Sequence, residues 1–270
     1  IGKGALPIFS TGAYQRETLR PHLTGYFKDL VKSATTSFPL IHSLDNSQSI
    51  GPNSAIYKRR KRKGKISSIN ENHARELLEL HTISTKANYS QNDVVQLTLI
   101  MTGWMHPFTK KRSFCNPVIF DNKRHEEGVQ TLLGKKYNQK GVEKLDEVIN
   151  NLSNMRECAE FLSWKLCRHF ITDNPTEEMI KPVTQKWMET SGFLPAIHEA
   201  VIHQCHKYSN NYKKFQNTEN WFLQVMKLSG ANWPPSKTEM EYDFIKQPNK
   251  VQKLPTYFLK ELGHLPFRPK

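Results

Sequence analysis

Apolar residues recur at helical spacing along most of the chain, and period-two alternation is nearly absent. In "LTGYFKDLVKSATT", Leu23, Phe27, Leu30 and Val31 share one face, which predicts a helix interrupted near Pro39. Ser90 opens a second helix, "SQNDVVQLTLIMTGW", with Asp93 at the capping-box position and apolar residues around nearly the whole circumference, so it should be buried. After Gly141 the pattern stays helical. Leu162, Leu166 and Phe170 recur every fourth residue, and "DNPTEE" offers Asn174 as N-cap, Pro175 at the first helical position and Glu177 in the box. The next stripe is Ile180, Val183 and Trp187. Gly192 ends that helix and Pro195 opens another, lined by Ile197, Ala200, Val201 and Cys205. Phe222, Val225 and Met226 form a last amphipathic set before "NWPPS". Only "CNPVIFDN" reads as extended, near Val118 to Phe120.

The predicted class is therefore mainly α: a multi-helical globular domain with long irregular loops and at most one short β-hairpin. A single domain is expected over residues 1–270, with a long basic loop at 45–69 and a sub-boundary near 138–142. The chain opens at Ile1 as if in mid-domain, which reads as a portion of a longer protein. No apolar run is long enough for a transmembrane segment.

Charge changes the picture next. Lysine and arginine exceed aspartate and glutamate by 39 − 25 = 14, an excess that attracts phosphates, acidic polysaccharides or anionic lipid. Its densest block is "KRRKRKGK", containing Lys58, Arg59, Arg60, Lys61, Arg62 and Lys63 in a stretch without helical periodicity. It reads as a solvated loop, with polyanion contact as the functional alternative. Cys115, Cys158, Cys167 and Cys205 are widely spaced with no C-x-x-C pair, so no zinc knuckle or disulfide framework is suggested. His203 and His206 flank Cys205 at ligand spacing but lack a second ligand pair, and read as a polar surface pair. Walker, G-x-G-x-x-G and G-x-S-x-G motifs are absent.

The stretch "NENHARELLELHT", Asn70 to Thr82, carries the richest chemistry. On an α-helix Ala74, Leu77, Leu78 and His81 share an inner stripe, and Arg75 lies one turn from both Glu71 and Glu79. Glu79 and His81 point apart, which excludes an H-E-x-x-H type zinc site. Glu76 and Glu79 could hold a divalent metal or act as an acid/base pair. The competing structural reading makes Arg75 the organising cation of a partly buried cluster, whose removal would cost on the order of 3 to 5 kcal/mol.

The ordered strings "LRPH", "LDNSQSIGPNS", a basic loop, "NENHARELLELHT", "YSQNDVVQLTLIMTGW", "RHEEGVQTLLG", "KLCRHFITDNP" and "LGHLPFRP" resemble the bacterial "domain of unknown function 1800" family along nearly the whole chain. The resemblance implies a largely helical fold and no particular reaction. It also implies shared positions at Arg20, His22, Asp45, Asn46, Gly51, Asn53, Asn70, Glu71, Asn72, Arg75, Glu76, Glu79, His81, Thr82, Gly103, Trp104 and His125. Relatives usually carry an aspartate after that histidine and a lysine before "LLG"; Glu126 and Gln130 stand there instead. Family proteins are longer at both ends. The resemblance also implies export, to the periplasm or beyond, and a gene encoded beside that of a partner resembling the alkaline-phosphatase and sulfatase group.

Three function classes follow. In the first, a non-catalytic export, assembly or partner-binding protein, the motif knits residues 45–68 onto the helix from Asn70. The second is a metal-dependent or carboxylate/histidine hydrolase using Glu76, Glu79, His81, His22 and Asp45, with Arg20, Asn46, Asn53, Asn70, Glu71, Asn72, Arg75, Trp104 and His125 as binding residues. Polyanion binding through the basic stretch is the third. The absence of a complete catalytic signature favours the first.

Overall fold

A computed structural model describes residues 10–106, 118–210, 214 and 217–230. The chain divides into two compact units, Ile1–Tyr212 and Lys213–Lys270. In the first, a π-helix (Tyr14–Leu19) and a 3-10 turn (Arg20–His22) precede helices α1 (Phe27–Thr35), α2 (Phe38–Ser43), α3 (Ala55–Arg62), α4 (Asn72–Glu76) and α5 (Gln91–Met101). Helices α6 (Val142–Ser153), α7 (Arg156–Phe170), α8 (Glu177–Thr190) and α9 (Leu194–Lys207) complete it, and α10 (Thr218–Leu228) lies in the second unit. Phe222 and Met226 on α10 are half-buried and Val225 is exposed. The breaker after α10 lies outside the described residues. The fold is mainly α, and among the described residues no helix is long and apolar enough to cross a membrane.

One apolar core runs from Phe27 and Val31 through Leu77, Leu78, Val94, Leu97 and Ile100 to Val148, Val183, Trp187 and Ile197. Trp187 is its largest member: its ring meets Phe27 edge-on at 4.9 Å and its Nε1–H donates to the Ser153 carbonyl at 3.0 Å. That bond satisfies the indole's only donor, so the ring is buried without a polar penalty. The capping box of α5 forms as expected: Ser90 N donates to Asp93 Oδ2 at 2.8 Å, and Asp93 N donates to Ser90 Oγ at 3.2 Å.

Several expectations are corrected. The first predicted helix begins at Phe27 instead of Leu23, because the residues before it pair with another part of the chain. Phe27 N donates to Gly192 O, and Leu194 N to Gly25 O, both at 2.9 Å. Pro39 opens α2. The last-mentioned box is displaced: α8 starts at Glu177 with Thr176 as N-cap, so Asn174 and Pro175 precede it. On α7 the buried face is Cys158, Ala159, Ser163 and Cys167, small residues that let α8 approach closely, while Phe170 is 56% exposed.

Two antiparallel pairs replace the one expected hairpin. β1 (Trp104–Met105) pairs with β2 (Ile119–Phe120), the strand read from the sequence. β3 (Gln130–Leu132) and β4 (Lys135–Tyr137) form a second hairpin through Leu133 and Gly134, both at positive φ. Two positive-φ residues make the tight turn that suits strand twist, and only Gly134 advertises it in the sequence. Residues 138–141 form the short connection into α6, which opens at Val142.

Candidate functional site

Residues 45–70 are a strap laid across the body, and their polar side chains are the fastenings. Asp45 sits in the left-handed region (φ 57°) and accepts from Gln48 Nε2 at 2.9 Å. Asn46, 1% exposed, donates from Nδ2 to the carbonyls of Met101 (3.1 Å) and Trp104 (2.7 Å), closing the end of α5 onto β1. Beyond it, His106 N donates to Ser47 Oγ, Ile50 N to Ser68 O, and Asn70 N to Ser49 Oγ. The strap's two ends are thereby tied together.

Its midpoint is clamped by Glu126, which is 4% exposed. The carboxylate accepts from Asn53 N (2.8 Å) and Asn53 Nδ2 (2.5 Å), and Glu126 N donates to Thr102 Oγ1 at 2.8 Å. Neighbouring His125 is buried; its Nδ1–H donates to the Thr102 carbonyl at 2.8 Å, and burial lowers the imidazole's pKa against the opposing pull of that bond. Gly51 passes so close that a Cβ would lie 2.7 Å from Glu126 N and Oε2. Buried Lys144, from α6, donates to Gly128 O (2.6 Å) and Gln130 Oε1 (2.5 Å). Burial lowers its pKa, and the Glu126 and Glu127 carboxylates oppose the shift.

The basic stretch is not an irregular loop. Ser54 Oγ accepts from Tyr57 N and starts α3, whose lysines and arginines are good helix formers, and Gly64 at φ 66° follows its end. Lys58, Arg59, Lys61, Arg62 and Lys63 are exposed; Arg60 is half-buried and donates to Ile66 O at 3.4 Å.

The stretch from Asn70 also departs from a regular α-helix. Asn70 Oδ1 accepts from Asn72 N, α4 runs to Glu76, and Leu77–Thr82 is wound as a π-helix. The wider turn moves Thr82 into the fully buried place, with its hydroxyl donating to Leu77 O at 2.7 Å, while His81 is only half-buried beside Lys165. Burial, then Lys165, lowers the His81 pKa. Ala74, Leu77 and Leu78 point inward as expected.

Arg75 stands where the spacing put it. It donates to Glu71 Oε2 at 3.0 Å and Glu79 Oε1 at 3.4 Å, and also to Gln91 Oε1 at 2.5 Å. Gln91 Nε2 returns a bond to Glu71 Oε2 at 2.8 Å, and Tyr89 donates to Glu79 Oε1 at 2.7 Å, a bond that raises the tyrosine's pKa. Two of the three motif glutamates are thus held by neighbours; Glu76 has no hydrogen bond or ion pair among the described residues. The side chains are 22–38% exposed, so the cluster is wetter than the spacing implied.

Other candidates do not join it. No hydrogen bond or ion pair among the described residues links Arg20, His22 or Asp45 to Glu76, Glu79 or His81, and Arg20 and His22 sit on the turn before α1. No three His, Cys, Asp or Glu side chains converge as metal ligands among the described residues. His203 is exposed and faces Glu199 at 3.8 Å. Cys158 and Cys167 are buried thiols; Cys115 lies outside the described residues. The sequence reading passed over His73, 0% exposed, and the paired His42 and His106 rings, whose Nδ1 and Nε2 are 2.9 Å apart. Only their tertiary neighbours mark them.

A family model described as "Protein of unknown function (DUF1800)" matches residues 2–270. No curated protein and no solved structure matches the chain.

Proposed function

We propose, from the premise that this chain belongs to the DUF1800 family, that it is a non-catalytic partner-binding protein whose motif residues build a rigid platform. The observation that carries this reading is that Glu71, Glu79, Asn46 and Asn53 are each bound within the scaffold, which leaves Glu76 as the one motif carboxylate without a hydrogen bond or ion pair among the described residues. Glu71 and Glu79 are bound to Arg75, Gln91 and Tyr89; Asn46 is bound to two carbonyls; and Asn53 is bound to Glu126. A catalytic carboxylate needs an unsatisfied proton site within reach of substrate, and these have spent theirs on the scaffold. The strap they fasten presents α3 outward.

Thermal melts of two variants, with elemental analysis of the purified protein, test the reading. Arg75→Ala is expected to cost about 1 to 2 kcal/mol, lowering the melting temperature by roughly 2 to 8 °C. This is below the cost expected of a buried cluster, because water screens side chains this exposed. Glu76→Gln is expected to stay within about 0.5 kcal/mol of the parent. A stoichiometric divalent metal that disappears in Glu76→Gln would overturn the non-catalytic reading in favour of a metal-dependent hydrolase. An Arg75→Ala melt equal to the parent's would remove the platform role.

A further inference from the structure

We infer that helix α3 is a docking element for double-stranded nucleic acid, engaged through its phosphates without reading base sequence. The inference rests on the binding-protein reading above and specifies the partner's chemistry. Between Asp45 and Glu71 the chain has no acidic residue, and Lys58, Arg59, Lys61, Arg62, Lys63 and Lys65 are all exposed. Among the described residues none of these six has a carboxylate within 4.0 Å. Elsewhere four surface lysines pair with acids, Lys32 with Asp146, Lys135 with Glu147, Lys186 with Glu189 and Lys207 with Glu178, whereas ones unpaired among the described residues, such as Lys86, Lys136, Lys140 and Lys181, are spread over separate segments. Positive charge is concentrated and uncompensated on this helix, and it extends around more than one face, since Lys58, Arg59, Lys61 and Arg62 fall at about 0°, 100°, 300° and 40° around the axis.

The helix is also held in place. Ile56 N donates to Lys123 O, Gly51 N to Arg124 O, both at 2.9 Å, and Asn53 is clamped by Glu126. These bonds bring the exposed Lys123 alongside, so the cationic surface spans two elements and needs little ordering on binding.

What the helix lacks selects the partner. Its apolar residues, Ile56 and Tyr57, are half-buried at the anchored end, which leaves no apolar face to insert into a membrane. Nearby Ile66, 91% exposed, is a single side chain. Protein interfaces keep charges, lysine above all, out of their centres, and here the centre is all charge. Single strands are gripped by stacking on exposed aromatic rings, and Tyr57 is the lone aromatic residue on α3. A duplex asks for none of these: it offers a negative charge about every 1.7 Å of axis and a major groove about 12 Å wide that admits one helix.

The test is fluorescence anisotropy of the full chain with two labelled DNA duplexes of unrelated sequence over a salt series. The expected dissociation constants are about 10⁻⁴ to 10⁻⁶ M near physiological salt, equal for both sequences, and rising with salt. The variant Lys58→Gln, Arg59→Gln, Lys61→Gln, Arg62→Gln is expected to lose at least about tenfold and to flatten the logarithmic salt slope by about 0.9 for each phosphate it no longer neutralises. A control with the same charge change, Lys86→Gln, Lys136→Gln, Lys140→Gln, Lys181→Gln, should bind like the parent; melting curves show that both variants are folded. Equal weakening by the control, absence of duplex binding by the parent, or α3-dependent binding to anionic phospholipid vesicles or polyglutamate in place of the duplex would each overturn the inference. None of those outcomes alters the Arg75 melts or the metal analysis. A stoichiometric metal would instead overturn the platform reading while leaving α3-dependent duplex binding as measured.

Discussion

His73 has no exposed surface, and neither ring nitrogen has a hydrogen-bond partner among the described residues. Burial, helped by the nearby His81, pushes its pKa down to about 3. Charging it would require an imidazolium in an apolar setting, so the native state holds it neutral. In the unfolded chain an ordinary histidine takes a proton below its pKa of about 6.5. The unfolded state therefore binds more protons as pH falls from about 6.5 towards 3, and stability falls with it; above 6.5 the contribution is constant. Burial lowers the pKa of His81 and His125 as well, so each acts in the same direction. His73→Leu is expected to hold or raise the melting temperature at neutral pH, since it replaces two unpaired polar atoms with a hydrocarbon of similar size. It should also flatten the acid-side decline, by on the order of 5 kcal/mol at most between the two pKa values. Melting temperatures of parent and variant at a series of pH values check this, and parallel curves would show that His73 does not set the slope.

Among the elements, the strap carries the largest gap between what periodicity predicts and what forms. The arginines and lysines of α3 have good helix propensity but no apolar stripe, so a hydrophobic-period reading makes a loop of a segment that Ser54 caps and the 121–126 turn holds in place. The π-winding of Leu77–Thr82 is equally silent in the sequence, because its apolar residues fit an α-helix and only the burial of Thr82 reveals the wider turn. By contrast, Arg75 between Glu71 and Glu79 and the α5 capping box were legible from spacing, and Asn46 and Trp104 were named singly as shared positions without their meeting being foreseen. Legible identity did not extend to partners: the tie between Asn53 and Glu126 joins positions far apart in the chain, which no local pattern encodes. The clamp gives a prediction at this scale. Gly51→Ala would set a Cβ 2.7–2.8 Å from the backbone and carboxylate of Glu126, and backbone atoms cannot yield cheaply. A cost of about 1 to 3 kcal/mol is expected. Hydrogen exchange should then accelerate at Gly51 and Ile56, whose amides bond Arg124 O and Lys123 O. Parent-like protection at both amides would show that the strap tolerates the methyl and that the close approach is not what seats it.

At the scale of the whole molecule, the helical periodicity made the class legible but left the number of cores open, because an amphipathic stripe shows that it needs an apolar neighbour and not which one covers it. The core residues, from Phe27 to Tyr208, all belong to the first compact unit, Ile1–Tyr212. Its internal ties close long loops within the same span: Phe27 and Gly25 bond Gly192 and Leu194, and Lys28 and Lys32 of α1 reach Asn150 and Asp146 of α6. Among the described residues, the apolar burial that opposes chain entropy lies within this unit. A chain of residues 1–212 is expected to fold by itself and to give a single cooperative thermal transition, with calorimetric and van't Hoff enthalpies in agreement. It should also keep the strap in place, because among the described residues the bonds that fasten residues 45–70 end within the unit. A broad, non-cooperative melt would mean that the first unit draws part of its stability from residues 213–270.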